Sequence, residues 1–141
     1  MFEILREILA NYYVLYLKTQ GYHWNCKGRD FFLWHEQFEK QYLNITEAID
    51  TIAELIREIN RETPADFKTY SEYSTIKLET SSYDVKNIVR CVINDNEIIL
   101  KILSKSLSEV EKHDDVVVAD FLVQRMTYHK KILWMMKSSN E

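Results

Sequence analysis

The chain has 141 residues, 46% of them hydrophobic, with only 2 Gly and 1 Pro. That is the length of one compact domain with enough apolar material for a core. Turns of a many-stranded fold need more Gly and Pro, so few, long elements are expected. A formal net charge of −4 argues against a nucleic-acid binder and for surfaces that favour cations over phosphates.

From Phe2 to about Asn25 the apolar residues Phe2, Leu5, Leu9, Tyr12 and Tyr16 recur every three or four positions, the spacing of an amphipathic helix. Lys27-Gly28-Arg29-Asp30 breaks it. A second helix is expected from about Phe31 to Arg61, with Phe31, Trp34, Phe38, Tyr42, Ile45, Ile49, Ile52, Ile56 and Ile59 as its apolar stripe. Pro64 is the expected stop, since proline forbids the next turn. Residues 65–81 are polar and mixed, with room for one short helix around Phe67–Tyr73. Ser82, Asp84 and Val85 read as a cap and first turn of a third long helix carrying Val85, Val89, Val92, Ile99, Leu103, Leu107 and Val110. His113-Asp114-Asp115 is a short turn and cap before a fourth, with Leu122, Met126, His129, Leu133 and Met136. Four long helices with one long crossover predict an all-α, single-domain bundle over residues 1–141, in the ferritin-like arrangement. The second helix would be ~45 Å long at ~1.5 Å per residue, and a crossover of this length can travel back along it.

The two cysteines, Cys26 and Cys91, form no CxxC and are expected to be buried thiols in a reducing compartment. Met1 is followed at once by an amphipathic segment, and no apolar run approaches membrane-spanning length. A cytoplasmic protein with no membrane partner is expected.

The informative residues are His23, His35, Glu39, Asp50 and Glu54. His35 and Glu39 are an i, i+4 pair, as are Asp50 and Glu54. At ~100° per residue, positions 35, 39, 50 and 54 fall at ~0°, ~40°, ~60° and ~100° around one helix, with the apolar stripe centred near ~300°. The four polar groups therefore point beside the core and need a second surface to face. His35 and Asp50 are also fifteen residues apart, ~22 Å along a helix, so one metal centre cannot touch both within one chain. A two-fold axis near Leu43–Asn44 would bring Asp50 and Glu54 of one copy against His35 and Glu39 of another, giving two equal sites. Imidazole and carboxylate without thiolate suit iron, and also zinc or manganese. His23, at the end of the first helix, is a further candidate ligand, and Trp24 beside it could donate an electron or pack. His129, on an apolar stripe, reads as a hydrogen-bonded core histidine, and His113 as plain surface. The Tyr and Trp enrichment reads mostly as core and interface.

The stretch Tyr22–Glu54 is similar to the Dps family, the DNA-protection-during-starvation mini-ferritins. The resemblance rests on His23-Trp24-Asn25-Cys26-Lys27-Gly28, Phe31-Phe32, His35-Glu36-Gln37-Phe38-Glu39, Tyr42 and Asp50-Thr51-Ile52-Ala53-Glu54, in the family's order and spacing. Asp120 and the Trp134-Met135-Met136 end look similar too. The resemblance implies a dodecameric hollow shell that oxidises ferrous iron, preferably with hydrogen peroxide, at sites shared between two-fold-related subunits. It implies ferric oxide storage inside, protection against oxidative stress, and iron (Fe2+/Fe3+) as the metal. The implied ligands are His23, His35 and Glu39 from one chain with Asp50 and Glu54 from its partner. Asp114, Asp115 and Asp120 match the region from which family members line acidic pores, and Glu36, Glu47 and Glu58 read as surface or shell-lining acids. DNA-binding members commonly carry a Lys/Arg-rich tail. Here Arg6 and Lys18 are the first cations and Lys137-Ser138-Ser139-Asn140-Glu141 is hardly basic. DNA binding is therefore not expected, and a nucleoid-compacting shell is the alternative. No Glu-x-x-His pair occurs, against a di-iron site within one bundle.

Overall fold

The computed structural model describes residues 1–139; Asn140 and Glu141, part of the weakly basic C-terminal stretch, lie outside them. Four long helices and one short one run in the order α1 (Phe2–Asn25), α2 (Phe31–Glu58), α3 (Phe67–Tyr73), α4 (Val85–Glu111) and α5 (Val116–Ser139). α1 packs against α2, α3 and α4, and α4 pairs with α5. Because it touches three partners, α1 is buried on more than one face: Leu5, Ile8, Leu9, Tyr12, Leu15, Thr19 and Tyr22 are joined in burial by Ala10, Asn11 and Val14.

The bundle's direction is set where α1 ends. The backbone N–H of Lys27 donates to Tyr83 O (3.1 Å) and that of Val85 to Lys27 O (3.1 Å). α4 thus starts beside the end of α1, as α2 does, and α2 and α4 run parallel. Gly28 makes this approach possible. Its φ is +119°, and a Cβ there would stand 3.2 Å from Asp84 Oδ1.

α2 is shorter than the apolar stripe suggests. It stops at Glu58, not near Arg61, and proline is not the cause. Asn60 takes φ +62°, and the N–H of Arg61 reaches back to Ile56 O at 3.3 Å. That is a Schellman ending with Asn at the left-handed position, which closes the helix before Pro64 is reached. At α4 the expected side-chain cap is absent: Asp84 sits at the N-cap position but its carboxylate accepts no hydrogen bond from the first turn. α5 does have its cap, Asp115 Oδ1 accepting from Val118 N at 3.0 Å.

The crossover is fastened to α1. The side-chain oxygen of buried Asn11 accepts from Thr75 N (2.9 Å), Ile76 N (3.0 Å) and Ser74 Oγ (3.2 Å). Tyr70 of α3 stacks on Tyr13 with ring centroids 4.3 Å apart, and Ile76 is buried in the core.

The apolar core has two parts. One joins Leu5, Leu9, Tyr12, Ile49, Ile52, Ile99, Leu103 and Leu122. The other joins Tyr22, Cys26, Phe38, Ile88, Val92 and Met136. The boundary carries buried polar groups. Lys18 Nζ donates to Asp95 Oδ1 at 2.8 Å, and Tyr22 OH to Asp95 Oδ2 at 3.1 Å. His129 meets Asn96 Oδ1 through Nδ1 (2.9 Å) and Tyr12 OH through Nε2 (2.7 Å), and Arg125 Nε donates to Tyr12 OH at 3.0 Å. The Asn96 amide nitrogen donates to Val92 O, so its oxygen is the acceptor facing His129. Nδ1 therefore carries the imidazole proton, and Tyr12 donates to Nε2. The expected core histidine is borne out. Lys18, one of the first two cations of the chain, is almost fully buried.

Two stability predictions follow from this boundary. Lys18→Met strands the Asp95 carboxylate in the interior and should cost about 3–5 kcal/mol, while Lys18→Met with Asp95→Leu should recover most of it. Urea titration of the two variants beside the parent checks both. His129 offers a pH test. Burial, aided by the Arg125 cation, holds its ring neutral well below the ordinary value of 6.5. Below that value an unfolded chain takes up a proton that the folded chain refuses. The stability His129 contributes is thus complete above pH 6.5 and lost as the pH falls. His129→Gln should flatten the fall of the urea midpoint between neutral and acidic pH; an unchanged slope would refute the assignment.

Candidate metal centre

The α1–α2 turn builds the site. After Tyr22 the helix delivers His23, Cys26 leaves helical geometry, and Asp30 at φ +63° turns the chain into α2. His35, one turn into α2, then lies face to face with His23. The imidazole centroids are 3.8 Å apart with planes 16° from parallel. Each ring reaches the other residue's backbone: His23 Nδ1 meets His35 O at 2.7 Å, and His35 Nδ1 meets His23 O at 2.7 Å. A carbonyl can only accept, so both Nδ1 atoms carry a proton, and in the neutral rings both Nε2 atoms present a bare lone pair. Fixing the tautomer through the far nitrogen is how proteins orient metal-binding imidazoles. Phe31 stacks on His35 (5.1 Å) and Tyr42 tilts against His23 (5.3 Å), closing the sides of the pair. Cys26 Sγ donates weakly to the same His23 carbonyl, and burial pushes its thiol up. It is a packed thiol, as expected; Cys91 is only half-buried.

The carboxylates stand outside the core as the helical angles require. Glu39, Asp50 and Glu54 are all exposed. The Glu54 carboxyl is pushed up by a hydrogen bond with Asp50 and by that neighbour's charge, with Glu58 adding a little. Two carboxylates so close repel unless they share a proton or a cation. Among the described residues, no three His, Cys, Asp or Glu side chains of one chain converge as a metal-holding group. His23 and His35 are brought together. Asp50 and Glu54 form a second group on the same exposed face, further along α2.

Among the described residues, the bundle interior offers no competing place. Its polar boundary holds two cations, Lys18 and Arg125, against one carboxylate, Asp95, with His129 neutral. A divalent ion there would meet net repulsion. Among the other singled-out residues, His113, Glu47, Glu58 and Asp114 are exposed, Glu36 pairs with Lys40 at 3.5 Å, and Asp120 is exposed and accepts from Gln124 at 2.7 Å. Trp24 is 60% and Trp134 65% exposed, so these indoles are outside the core. The two backbone carbonyls that fix the imidazoles have no sequence signature, because any residue could supply them.

Comparison with known proteins agrees with this architecture. Residues 2–140 match the family model for a ferritin-like domain. The chain is 32% identical over 136 residues to DNA protection during starvation protein 2 of Bacillus anthracis, covering 96% of this chain and 93% of that one. The crystal structure of a Dps protein from Bacillus brevis superposes with a TM-score of 0.94 at 31% identity, over 98% of this chain and 93% of the other. That of Vibrio cholerae O1 Dps, described as a member of a broad superfamily of ferritin-like diiron-carboxylate proteins, superposes with a TM-score of 0.95 at 28% identity, over 99% and 88%. No helix among the described residues is long and apolar enough to cross a membrane. Sequence, fold and the polar stripe of α2 lead to one assignment: the chain belongs to the Dps family of ferritin-like proteins.

Proposed function

We propose that this protein is a ferroxidase and iron store whose oxidation sites are completed between subunits. His23, His35 and Glu39 of one chain hold Fe2+ together with Asp50 and Glu54 of the partner subunit. The observation that carries this reading is the His23–His35 pair, whose two Nε2 lone pairs are fixed in advance of any metal. The exposed carboxylate groups and the net positive bundle interior support it further. The chemistry is 2 Fe2+ + H2O2 → 2 Fe3+ + 2 OH−. Neutral imidazoles and carboxylates bind both oxidation states but favour the higher charge, so the ligand set assists loss of the electron. Ferric oxide then collects in the cavity of a dodecameric shell, removing iron and peroxide together and protecting against oxidative stress. Asp120, with Asp114 and Asp115 near the same end of the bundle, would focus negative potential where iron arrives. A DNA-compacting role draws no support from 18 cations set against 22 acids.

Shared sites have a consequence that subunit mixing reads directly. His35→Ala/Glu39→Ala shells and Asp50→Ala/Glu54→Ala shells should each assemble, because the stripe lies beside the core and Ala is a good helix former. Each should lose fast iron oxidation. After dissociation, mixing and reassembly, a mixed dimer regains one working site out of two, so ferric absorbance should partly return. Verified mixed dimers without any recovery would refute the sharing.

The oxidant is tested separately. At matched concentrations, peroxide should oxidise Fe2+ in the shell faster than oxygen does, and a spin trap in the buffer should catch little hydroxyl radical. Equal rates with oxygen would overturn the preference.

A further inference from the structure

A continuous row of aromatic rings leaves the histidine pair. The His23 ring lies against Tyr42 at 5.3 Å between centroids, Tyr42 against Tyr16 at 6.1 Å, Tyr16 against Tyr13 at 6.4 Å, and Tyr13 against Tyr70 at 4.3 Å. Aromatic pairs at such separations are in ring contact. The row crosses from α2 to α1 and ends on the crossover helix α3. Packing alone does not require four phenols in succession; phenylalanine would fill these places without a hydroxyl to satisfy. What tyrosine adds is easy one-electron oxidation.

We propose that Tyr42, Tyr16, Tyr13 and Tyr70 form a relay that draws single oxidising equivalents away from the iron site and holds them on the Tyr13–Tyr70 stack. This rests on the iron reading above and deepens it. Peroxide accepts two electrons, and a site holding one Fe2+ supplies only one: Fe2+ + H2O2 → Fe3+ + OH− + HO•. The hydroxyl radical takes the hydrogen atom of the Tyr42 phenol, giving water and a Tyr42 phenoxyl. An electron then passes from Tyr16 to Tyr42; Tyr42 regains a proton from water and Tyr16 releases one. The same exchange moves the radical to Tyr13.

The end of the row is built to stop it. Tyr13 and Tyr70 are stacked with planes only 9° apart, so the unpaired electron can spread over two rings. The Tyr70 phenol donates to the Pro64 carbonyl, which is no base, and burial pushes that phenol up to about 12. The first equivalent therefore rests on Tyr13 rather than on Tyr70. Tyr13, Tyr16 and Tyr70 line an open groove of ≈ 430 Å³ with Leu17, Phe67 and Leu78, so the end of the row lies beside solvent. When a second equivalent reaches the stack, Tyr70 is oxidised too, its proton passing to water in the adjoining groove; the two neighbouring phenoxyls then join through ring carbons, the displaced ring hydrogens passing to the phenol oxygens. The product is a Tyr13–Tyr70 cross-link.

The test uses assembled shells given less Fe2+ than they have sites, followed by excess peroxide. Ferric absorbance follows the iron reaction, freeze-quenched electron paramagnetic resonance follows the radical, and peptide mapping locates oxidised or cross-linked tyrosines. The parent should show a tyrosyl radical and the Tyr13–Tyr70 cross-link, with Tyr73 and Tyr83, which lie off the row, largely spared. Tyr16→Phe interrupts the row: ferric absorbance should rise at the parent rate, the cross-link should fall several-fold, and the radical should stay on Tyr42. If that variant assembles poorly, Tyr13→Phe serves, removing the cross-link and leaving the radical on Tyr16. A cross-link of equal yield in Tyr16→Phe, or oxidation spread equally onto Tyr73 and Tyr83 in the parent, would overturn the relay while leaving the iron reading intact. A parent that forms no ferric absorbance would instead refute the iron reading, and with it the source of the radical.

Discussion

A continuous α-helix is a rigid ruler, and the rest of this molecule's chemistry depends on that. His35 and Asp50 lie on one uninterrupted helix, α2, so the ~22 Å between them cannot be closed by bending without breaking backbone hydrogen bonds. On the proposed reading, each chain therefore holds two incomplete halves of a coordination shell, both on a face the core does not cover. The α1–α2 turn sharpens one half. By tying two imidazoles to each other's carbonyls, it spends both Nδ1 protons internally and leaves only lone pairs outward. The ordering cost is met on folding, before a metal arrives.

The interior obeys a complementary logic. A bundle with an unbroken apolar core would be at least as stable, since buried ion pairs seldom repay their desolvation. Here Lys18, Asp95, Arg125 and His129 interrupt the apolar packing at one level. Such groups tolerate only one alignment of α1, α4 and α5, because a shift by one turn would leave each of them unpaired. The same arrangement makes the interior unattractive to cations, which is compatible with the proposed iron sites on the outer stripe.

Much of this was legible from residue order, and the exceptions have physical reasons. The long helices followed from apolar periodicity, and the crossover left room for the short Phe67–Tyr73 segment. The α2 stripe could be computed because all four residues share one helix, where angle and rise are known. Boundary chemistry was less legible: Pro64 is a strong stop signal, yet Asn60 adopts a left-handed conformation first. Partners across helices were not legible at all. Lys18 reads as an ordinary surface cation until Asp95, 77 positions away, is placed beside it. The tyrosine row spans α1, α2 and α3, and no single-helix pattern reveals it.

Asn11 has a consequence for how this chain can change over generations. One amide oxygen receives the backbone of Thr75 and Ile76 together with the Ser74 hydroxyl, so this is a polar fastening of the crossover to α1 before α4 begins. Downstream, the exposed stretch 77–79 bridges to the Tyr83–Lys27 contact. Length variation is cheap in such a tether, because its closure entropy grows only slowly with added residues. Insertions should therefore accumulate between Ile76 and Tyr83, and a grafted peptide could be displayed there. The segment before Asn11's contacts, where α3 stacks on α1, would resist both.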